Sequence, residues 1–383
     1  FKTGDVIKLP LTEQMTGTGV FIVRAKFSLP GLKPYYDYYR FSVMEFLGDY
    51  PVKKFFTNLM NQVGCLSRSD DYARNLYRWG FGTSSGSAPD DAVLKKNHIA
   101  VPFYFTWRRP PLKGLSADDV NYIMKHIYYA DKITPEDEKR LESMAYNVVK
   151  NNPDKDVWYF FNESECKNPL IKAGKYDQWA KAQLAFYRGA RRANPNARLL
   201  PDKGTSGFNP LRGRKELEGY LKATNGKAKW DIIAVHPYGS IDGAGGTYDL
   251  DEETQYLVKL MKKYGYGKET SIMFTELGGV PPLRIPEWGQ WLRGPNPSYD
   301  MGNQEYLQAC LLARVYLIGL KFRPQLEMIN IWTERTYLDQ YLTPYALAKA
   351  VNTLGTLFKN PKYVADIKPA RGVRGYVHKE GNK

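Results

Sequence analysis

Two glutamates in this 383-residue chain each follow directly on an apolar, β-rich run. Glu163 closes Trp158-Tyr159-Phe160-Phe161-Asn162, and Glu276 closes Ile272-Met273-Phe274-Thr275 ahead of Leu277-Gly278-Gly279. A charged side chain at the end of a run suited to burial needs a reason to be there. One such acid alone is read equally well as the ion-pair partner of a Lys or Arg. Two carboxyl groups on opposite walls of one opening can cleave a glycosidic bond. One protonates the leaving oxygen while the other attacks the anomeric carbon or activates water. The donor must hold a proton at working pH and the nucleophile must be ionised. Arg24 and Lys26, at the end of the first apolar run, are candidate cations beside the nucleophile, or equally lie outside the barrel, since alternate strand positions face opposite ways.

For these acids to meet, the chain between them must return each strand end to one face. Short apolar runs at 20–26, 81–83, 99–106, 157–161, 198–200, 232–236, 271–275 and 328–332 alternate with helical patterns at 70–79, 176–193, 251–264, 303–320 and 344–358. That alternation predicts βα units around a parallel sheet whose strands are covered on both faces. The count predicts an α/β fold, a (β/α)8 TIM barrel spanning 20–358, with Glu163 after its fourth strand and Glu276 after its seventh. Residues 1–19 read as a short N-terminal segment. Residues 359–383 read as a C-terminal β extension or the start of an accessory β domain, with a strand at 372–378. A doubly wound open sheet is disfavoured, because Ser28-Leu29-Pro30-Gly31 after the first run is no phosphate-binding glycine loop.

With these elements in order, the sequence resembles the clan A glycoside hydrolases. The resemblance rests on Asn162-Glu163 and Glu276. Asp231-Ile232-Ile233-Ala234-Val235-His236-Pro237-Tyr238 at the sixth strand and Ile331-Trp332 at the eighth reinforce it. The stretch Leu76-Tyr77-Arg78-Trp79-Gly80-Phe81-Gly82-Thr83 is similar to the second strand of agarase-type members. It departs from them at Gly82, where they often carry Asn, and in the following Ser/Gly loop, so no substrate carries over. The clan resemblance implies double displacement with retention: Glu276 as nucleophile and Glu163 as general acid, then general base. It further implies that Asn162 binds the sugar 2-hydroxyl, that Tyr238 donates to Glu276, and that Trp332 forms the floor of the cleaved subsite.

Other residues are candidates on chemistry alone. His236, a lone histidine at a strand end, is read as a hydrogen-bonded residue that also reaches sugar. Trp107 with Arg108-Arg109 could wall a subsite, the aromatic face stacking on a ring and the arginines favouring a sulfated or carboxylated one. The long loop 281–297, carrying Trp288 and Trp291, is a candidate substrate-facing rim. Glu165 and Glu334 are spare acids near the same mouth. No metal is expected, since no ligands stand at diagnostic spacing, and no cofactor is implied.

The net charge of +15, from 55 basic and 40 acidic residues, favours anionic partners such as an acidic or sulfated polysaccharide. The basic residues are scattered, without zinc-finger spacing or a basic tail, and nucleic acid is not expected as a partner. No apolar run of about 20 residues is present, so no membrane span is expected. The three cysteines, Cys65, Cys166 and Cys310, allow at most one disulfide. Oligomeric state is not legible. A polysaccharide-degrading hydrolase of this kind is expected to be secreted or periplasmic. The competing expectation is a catalytically inactive carbohydrate-binding or scaffold protein on the same barrel. Converging carboxylates favour the enzyme, and a filled mouth favours the binder.

Overall fold

The computed structural model describes residues 17, 19–43, 58–61, 74, 83–86, 96, 104–105, 112–155, 157–159, 161–202, 213–237, 250–278, 301–332, 346–358, 361–370 and 373–381. Strands β1 (Gly19–Phe27) and β2 (Tyr35–Val43) form an antiparallel pair with Phe27 opposite Tyr35. This corrects the expectation that 20–26 is the first strand of the parallel sheet. The reason is reach: a parallel return needs a crossover of about a dozen residues or more. The link 28–34 turns back at Gly31, whose φ of 78° suits glycine. Arg24 and Lys26 therefore lie on a hairpin, and the argument that put Arg24 beside the nucleophile falls away.

Among the described residues the parallel series starts instead at β3 (Asn58–Asn61), a strand with a polar residue at each end that the apolar pattern missed. It continues through β4 (Thr83–Gly86), β5 (Tyr104–Phe105), β6 (Val157–Tyr159), β7 (Arg198–Leu199), β8 (Ile232–Val235), β9 (Ser271–Gly278) and β10 (Leu326–Trp332). The pairing order is β4-β3-β10-β9-β8 in one sheet and β5-β6-β7 in another, and every pairing is parallel. The first strand of the series thus lies beside the last. The two sheets approach at β7 and β8, where Asp231 N–H donates to the Leu199 carbonyl at 3.0 Å. Leu199 N–H donates to the Asp231 carboxylate at 2.8 Å.

The described α-helices are α1 (Ala117–Lys125), α2 (Pro135–Lys150), α3 (Ser164–Lys167), α4 (Pro169–Lys172), α5 (Tyr176–Ala193), α6 (Gly213–Thr224), α7 (Leu250–Lys263), α8 (Met301–Lys321) and α9 (Ala346–Leu357), with a 3-10 turn at Ile127–Tyr129. The predicted helices at 176–193, 251–264, 303–320 and 344–358 correspond to α5, α7, α8 and α9. The longer helices α1, α2 and α6 were not expected. The signal for α2 was present: Thr134 and Asp137 form a capping box, Pro135 opens the first turn, and Glu136 and Glu138 add to its acidity. The apolar face of α2, with Leu141, Met144, Ala145 and Val148, meets Trp179, Ala182, Ala185 and Phe186 of α5.

Gly189 sets the closeness of the α2–α5 contact. A Cβ at that position would stand 2.1 Å from the Glu142 carbonyl oxygen, which is backbone and cannot move aside cheaply. Gly189→Ala is therefore expected to destabilise the fold by about 3 kcal/mol, despite alanine's better helix propensity. Urea unfolding monitored by tryptophan fluorescence would measure it, and an unchanged midpoint would contradict the contact.

Strand side chains divide between two apolar clusters. Trp158, Ile233, Val235, Ile272, Phe274 and Ile329 belong to the large one shared with the helices. Val157, Tyr159, Leu200, Ile232, Ala234, Met273 and Met328 form a separate small cluster contributed by β6, β8, β9, β10 and the end of β7. This period-two partition is what strands covered on both faces require.

The C-terminal β extension is present as an antiparallel hairpin, β11 (Lys362–Ala370) and β12 (Val373–Lys379). It is tied to the helices through Lys321 of α8, which bridges Asp251 at 2.8 Å and Asp366 at 2.7 Å. Tyr376 also donates to Asp251 at 3.0 Å. Among the described residues no helix is long and apolar enough to cross a membrane. Cys166 and Cys310 are free thiols, and Cys65 lies outside the described residues.

Candidate active site

The carboxyl groups of Glu163 and Glu276 converge, with the imidazole of His236 between them. One ligand atom from each lies within 4.8 Å of the others. Glu163 follows β6, His236 follows β8, and Glu276 lies within β9, so three strands present their C-terminal ends to one point. His236 has a fully buried side chain, that of Glu276 is nearly buried, and that of Glu163 keeps 29% exposure. The exposed member is thus the one free to meet a solvent-borne ligand.

His236 Nδ1 lies 2.9 Å from Glu163 Oε1, a hydrogen bond in which either partner can hold the proton. The same nitrogen is 3.6 Å from Glu276 Oε2, beyond a good hydrogen bond but well inside the range of charge attraction. The sequence anticipated His236 as a hydrogen-bonded residue. It did not anticipate that its partners would be the two candidate acids.

Glu276 reaches this point because β9 is irregular. From Phe274 to Leu277 β9 advances three residues while β10 advances two, from Ile329 to Ile331. Ile272 and Phe274 pack toward the helices, and strict alternation would send Glu276 the same way. The extra residue shifts the phase and re-aims the side chain, a known use of bulges beside functional sites. Asn330 of β10 supports the irregular segment by donating from Nδ2 to the Thr275 carbonyl at 2.5 Å.

Glu163 is aimed by a different device. Its backbone is left-handed, φ 48° and ψ 45°, the one non-glycine positive φ among the described residues. That conformation costs an L-residue about 1–2 kcal/mol, so its surroundings must hold it. Asn162 N–H donates to the Tyr128 hydroxyl at 2.6 Å, and that hydroxyl donates to the Asn162 carbonyl at 3.2 Å. Ser164 N–H donates to Asp202 Oδ2 at 3.3 Å, and Cys166 N–H to the Glu163 carbonyl at 3.0 Å.

Tyr128 and Asp202 were both missed by sequence reasoning. Tyr128 carried no signal, being one of 29 tyrosines. Asp202 carried a signal like that of the glutamates, an acid one residue beyond the buried Leu199-Leu200, after Pro201, at a strand end. It is 2% exposed, and burial together with the negative charge of Glu165 holds its carboxyl well above the usual carboxylate range. The folded protein therefore binds this proton more tightly than the unfolded chain. Stability is lost as pH rises from the ordinary carboxylate pKa of about 3.9 toward the folded value. Asp202→Asn cannot ionise and removes that loss, so its melting temperature relative to wild type should climb as pH rises from 4 to 8. A difference independent of pH would contradict the buried neutral acid.

The remaining expected residues divide as follows. Asn162 directly precedes Glu163, and its side-chain oxygen is buried without a hydrogen-bond partner among the described residues. Trp332 closes β10 with its backbone paired to Gly278 and Met60, at the same end of the sheet as Glu276. Glu165 lies in α3, on the far side of the bend from Glu163. Tyr238, Trp107, Trp288 and Glu334 lie outside the described residues, as do the loop 281–297 and most of the agarase-like stretch.

No metal-ligand spacing exists in the sequence, yet the fold assembles one imidazole and two carboxylates within reach of a single ion. The same trio has the makeup of an acid–base and nucleophile pair joined by a proton-sharing imidazole. Its two carboxyl groups are close enough to act on one bond.

A scan against protein-family models found no match, and a search of curated proteins found none. Among solved structures, the chain is similar to a family 39 glycoside hydrolase from the gut symbiont Bacteroides cellulosilyticus WH2. The TM-score is 0.60 at 15% identity, covering 92% of this chain and 74% of that one. It is also similar to xylanase 10B from Thermotoga maritima, with TM-score 0.54, 13% identity, and coverage of 81% and 97%. A GH10 structure from Paenibacillus barcinonensis gives 0.53, 12%, 82% and 99%. At such identities the likeness is one of fold, and it is the fold that the clan A resemblance implied.

Proposed function

We propose that this chain is a retaining glycoside hydrolase that cleaves β-glycosidic bonds of a polysaccharide or oligosaccharide by double displacement. The observation that carries the reading is the convergence of Glu163 and Glu276, 113 positions apart in sequence, within 4.8 Å through their nearest ligand atoms and His236. The eight parallel strands, with β3 beside β10, are read as a closed (β/α)8 barrel whose mouth holds the pair. The likeness in fold to a family 39 glycoside hydrolase and a xylanase supports the same reaction class.

In the first step Glu276 attacks the anomeric carbon while Glu163 gives its proton to the departing glycosidic oxygen. In the second, Glu163 takes a proton from water as the water displaces Glu276. The short separation supports retention, for which carboxyl groups stand about 5–5.5 Å apart, over inversion, which needs about 6.5–9.5 Å to admit a water. His236 exchanges a proton with Glu163 and steadies the charge on Glu276. The converging carboxylates favour catalysis over an inactive binder on the same barrel. The net charge of +15 makes anionic or sulfated polymers worth including among substrates, and a secreted or periplasmic location would suit a polymer too large to enter the cell.

The test is a screen on neutral and sulfated plant and algal polysaccharides for new reducing ends, followed by proton NMR of the first-formed product. The expected product is the β-anomer, appearing before mutarotation. An α-anomer would refute retention, and no new reducing ends from any polymer would refute the hydrolase.

A further inference from the structure

We propose that Asp202 is a positioning residue for the acid/base. From the end of β7 it accepts the Ser164 N–H and pins the left-handed bend that turns Glu163 toward His236 and Glu276. The inference rests on the hydrolase reading and adds to it a residue with no contact to the sugar.

Glu163 sits between two clamps. On its N-terminal side the Tyr128 hydroxyl holds both the N–H and the carbonyl of Asn162. On its C-terminal side Asp202 Oδ2 holds the N–H of Ser164 at 3.3 Å. A left-handed residue between a strand end and the first turn of a helix relaxes unless both flanking peptides are fixed. Removing the second clamp frees ψ of Glu163, and its carboxyl then loses its bearing on the leaving oxygen. Misplacement by about 1 Å is enough to cost much of a proton transfer.

The place of Asp202 suits this role. It is 2% exposed, so it cannot touch a polymer, and Oδ1 has no hydrogen-bond partner among the described residues. Glu163, Glu165, Tyr128 and Tyr220 face it from the end of β6, α3, the turn after α1, and α6. Burial and the charge of Glu165 hold the Asp202 carboxyl well above the usual carboxylate range, and with or without its proton the group offers an oxygen to the Ser164 N–H.

The test separates positioning from general stability through leaving groups. A phenyl β-disaccharide needs protonation to depart, whereas its 2,4-dinitrophenyl counterpart does not. Both are made for the polymer that the reducing-end screen identifies. Asp202→Ala is expected to lower kcat/KM on the phenyl substrate about 30-fold and on the dinitrophenyl substrate less than about threefold, because kcat/KM reports the first step, in which only the phenyl leaving group needs the proton. Asp202→Asn, which keeps an acceptor for Ser164, is expected to restore the phenyl rate to within about threefold of wild type.

Equal losses on both substrates, no loss, or no rescue by Asn would overturn the inference. Asp202→Leu, which keeps the branched heavy-atom outline without an acceptor, is read in the same way should the alanine variant fail to fold. A wild-type chain inactive on both substrates would instead count against the hydrolase reading. Activity that depends on Glu163 but is indifferent to Asp202 would sink only the positioning role.

Discussion

Glu276→Gln is expected to lower kcat by about 10⁵-fold on every substrate, a loss near 7 kcal/mol of transition-state stabilisation. The size follows from the role: without a carboxylate there is no covalent intermediate and no charge to oppose the developing oxocarbenium ion. Gln keeps the volume and the packing around a side chain that is nearly buried, so the fold should persist. The loss should therefore be independent of the leaving group, since attack and not departure is impaired. Glu276→Gly in the presence of azide supplies the discriminating observation. A small anion in the vacated space attacks from the nucleophile's face and yields the α-glycosyl azide. Full activity in Glu276→Gln would remove this residue from the mechanism and move attention to Glu334.

Glu163→Gln is expected to act differently, with kcat/KM lowered about 10³-fold on substrates whose leaving group needs a proton and about tenfold or less on 2,4-dinitrophenyl glycosides. The glutamine cannot donate to a poor leaving group in the first step, which kcat/KM reports; kcat on the dinitrophenyl substrate falls as well, because the second step has lost its base. The limb of the pH–rate profile that reports the general acid should vanish as well, because the titrating group is gone. Glu163 Oε1 also bonds His236 at 2.9 Å, so a control is needed for disturbance of Glu276 through the imidazole. Azide with Glu163→Gly should return the β-glycosyl azide, which requires that Glu276 still forms its intermediate. A uniform loss across leaving groups would deny Glu163 the acid role.

The contrast between these variants and Asp202→Ala also bears on how the site is built. In the proposed mechanism two residues act from strand ends, while Tyr128 and Asp202 accept the N–H groups on either side of one of them, Glu163. Preorganisation of this kind is settled before substrate arrives, so it is expected in kcat more than in KM.

The sequence by itself determined the βα alternation, helices α5, α7, α8 and α9, the strands that carry the candidate acids, and the two acids themselves. Those features are local: apolar runs suited to burial on both faces, helix stop signals, and a charge placed straight after each run. Only the tertiary structure decided which apolar run joins the parallel sheet. Residues 20–26 have the composition of a buried strand, but their partner lies across a link too short for a crossover. The short strand β3, polar at both ends, has no such composition, and its place comes from β10 and β4 on either side.

Aim was likewise a tertiary matter. A bulge in β9 changes the face on which Glu276 emerges, and a left-handed residue turns Glu163. Both depend on hydrogen bonds to partners far along the chain, Asn330 for the first, Tyr128 and Asp202 for the second. Residue type and spacing encode periodicity. They do not encode a one-residue phase shift or a single strained φ, because neighbours brought close only by folding hold those in place.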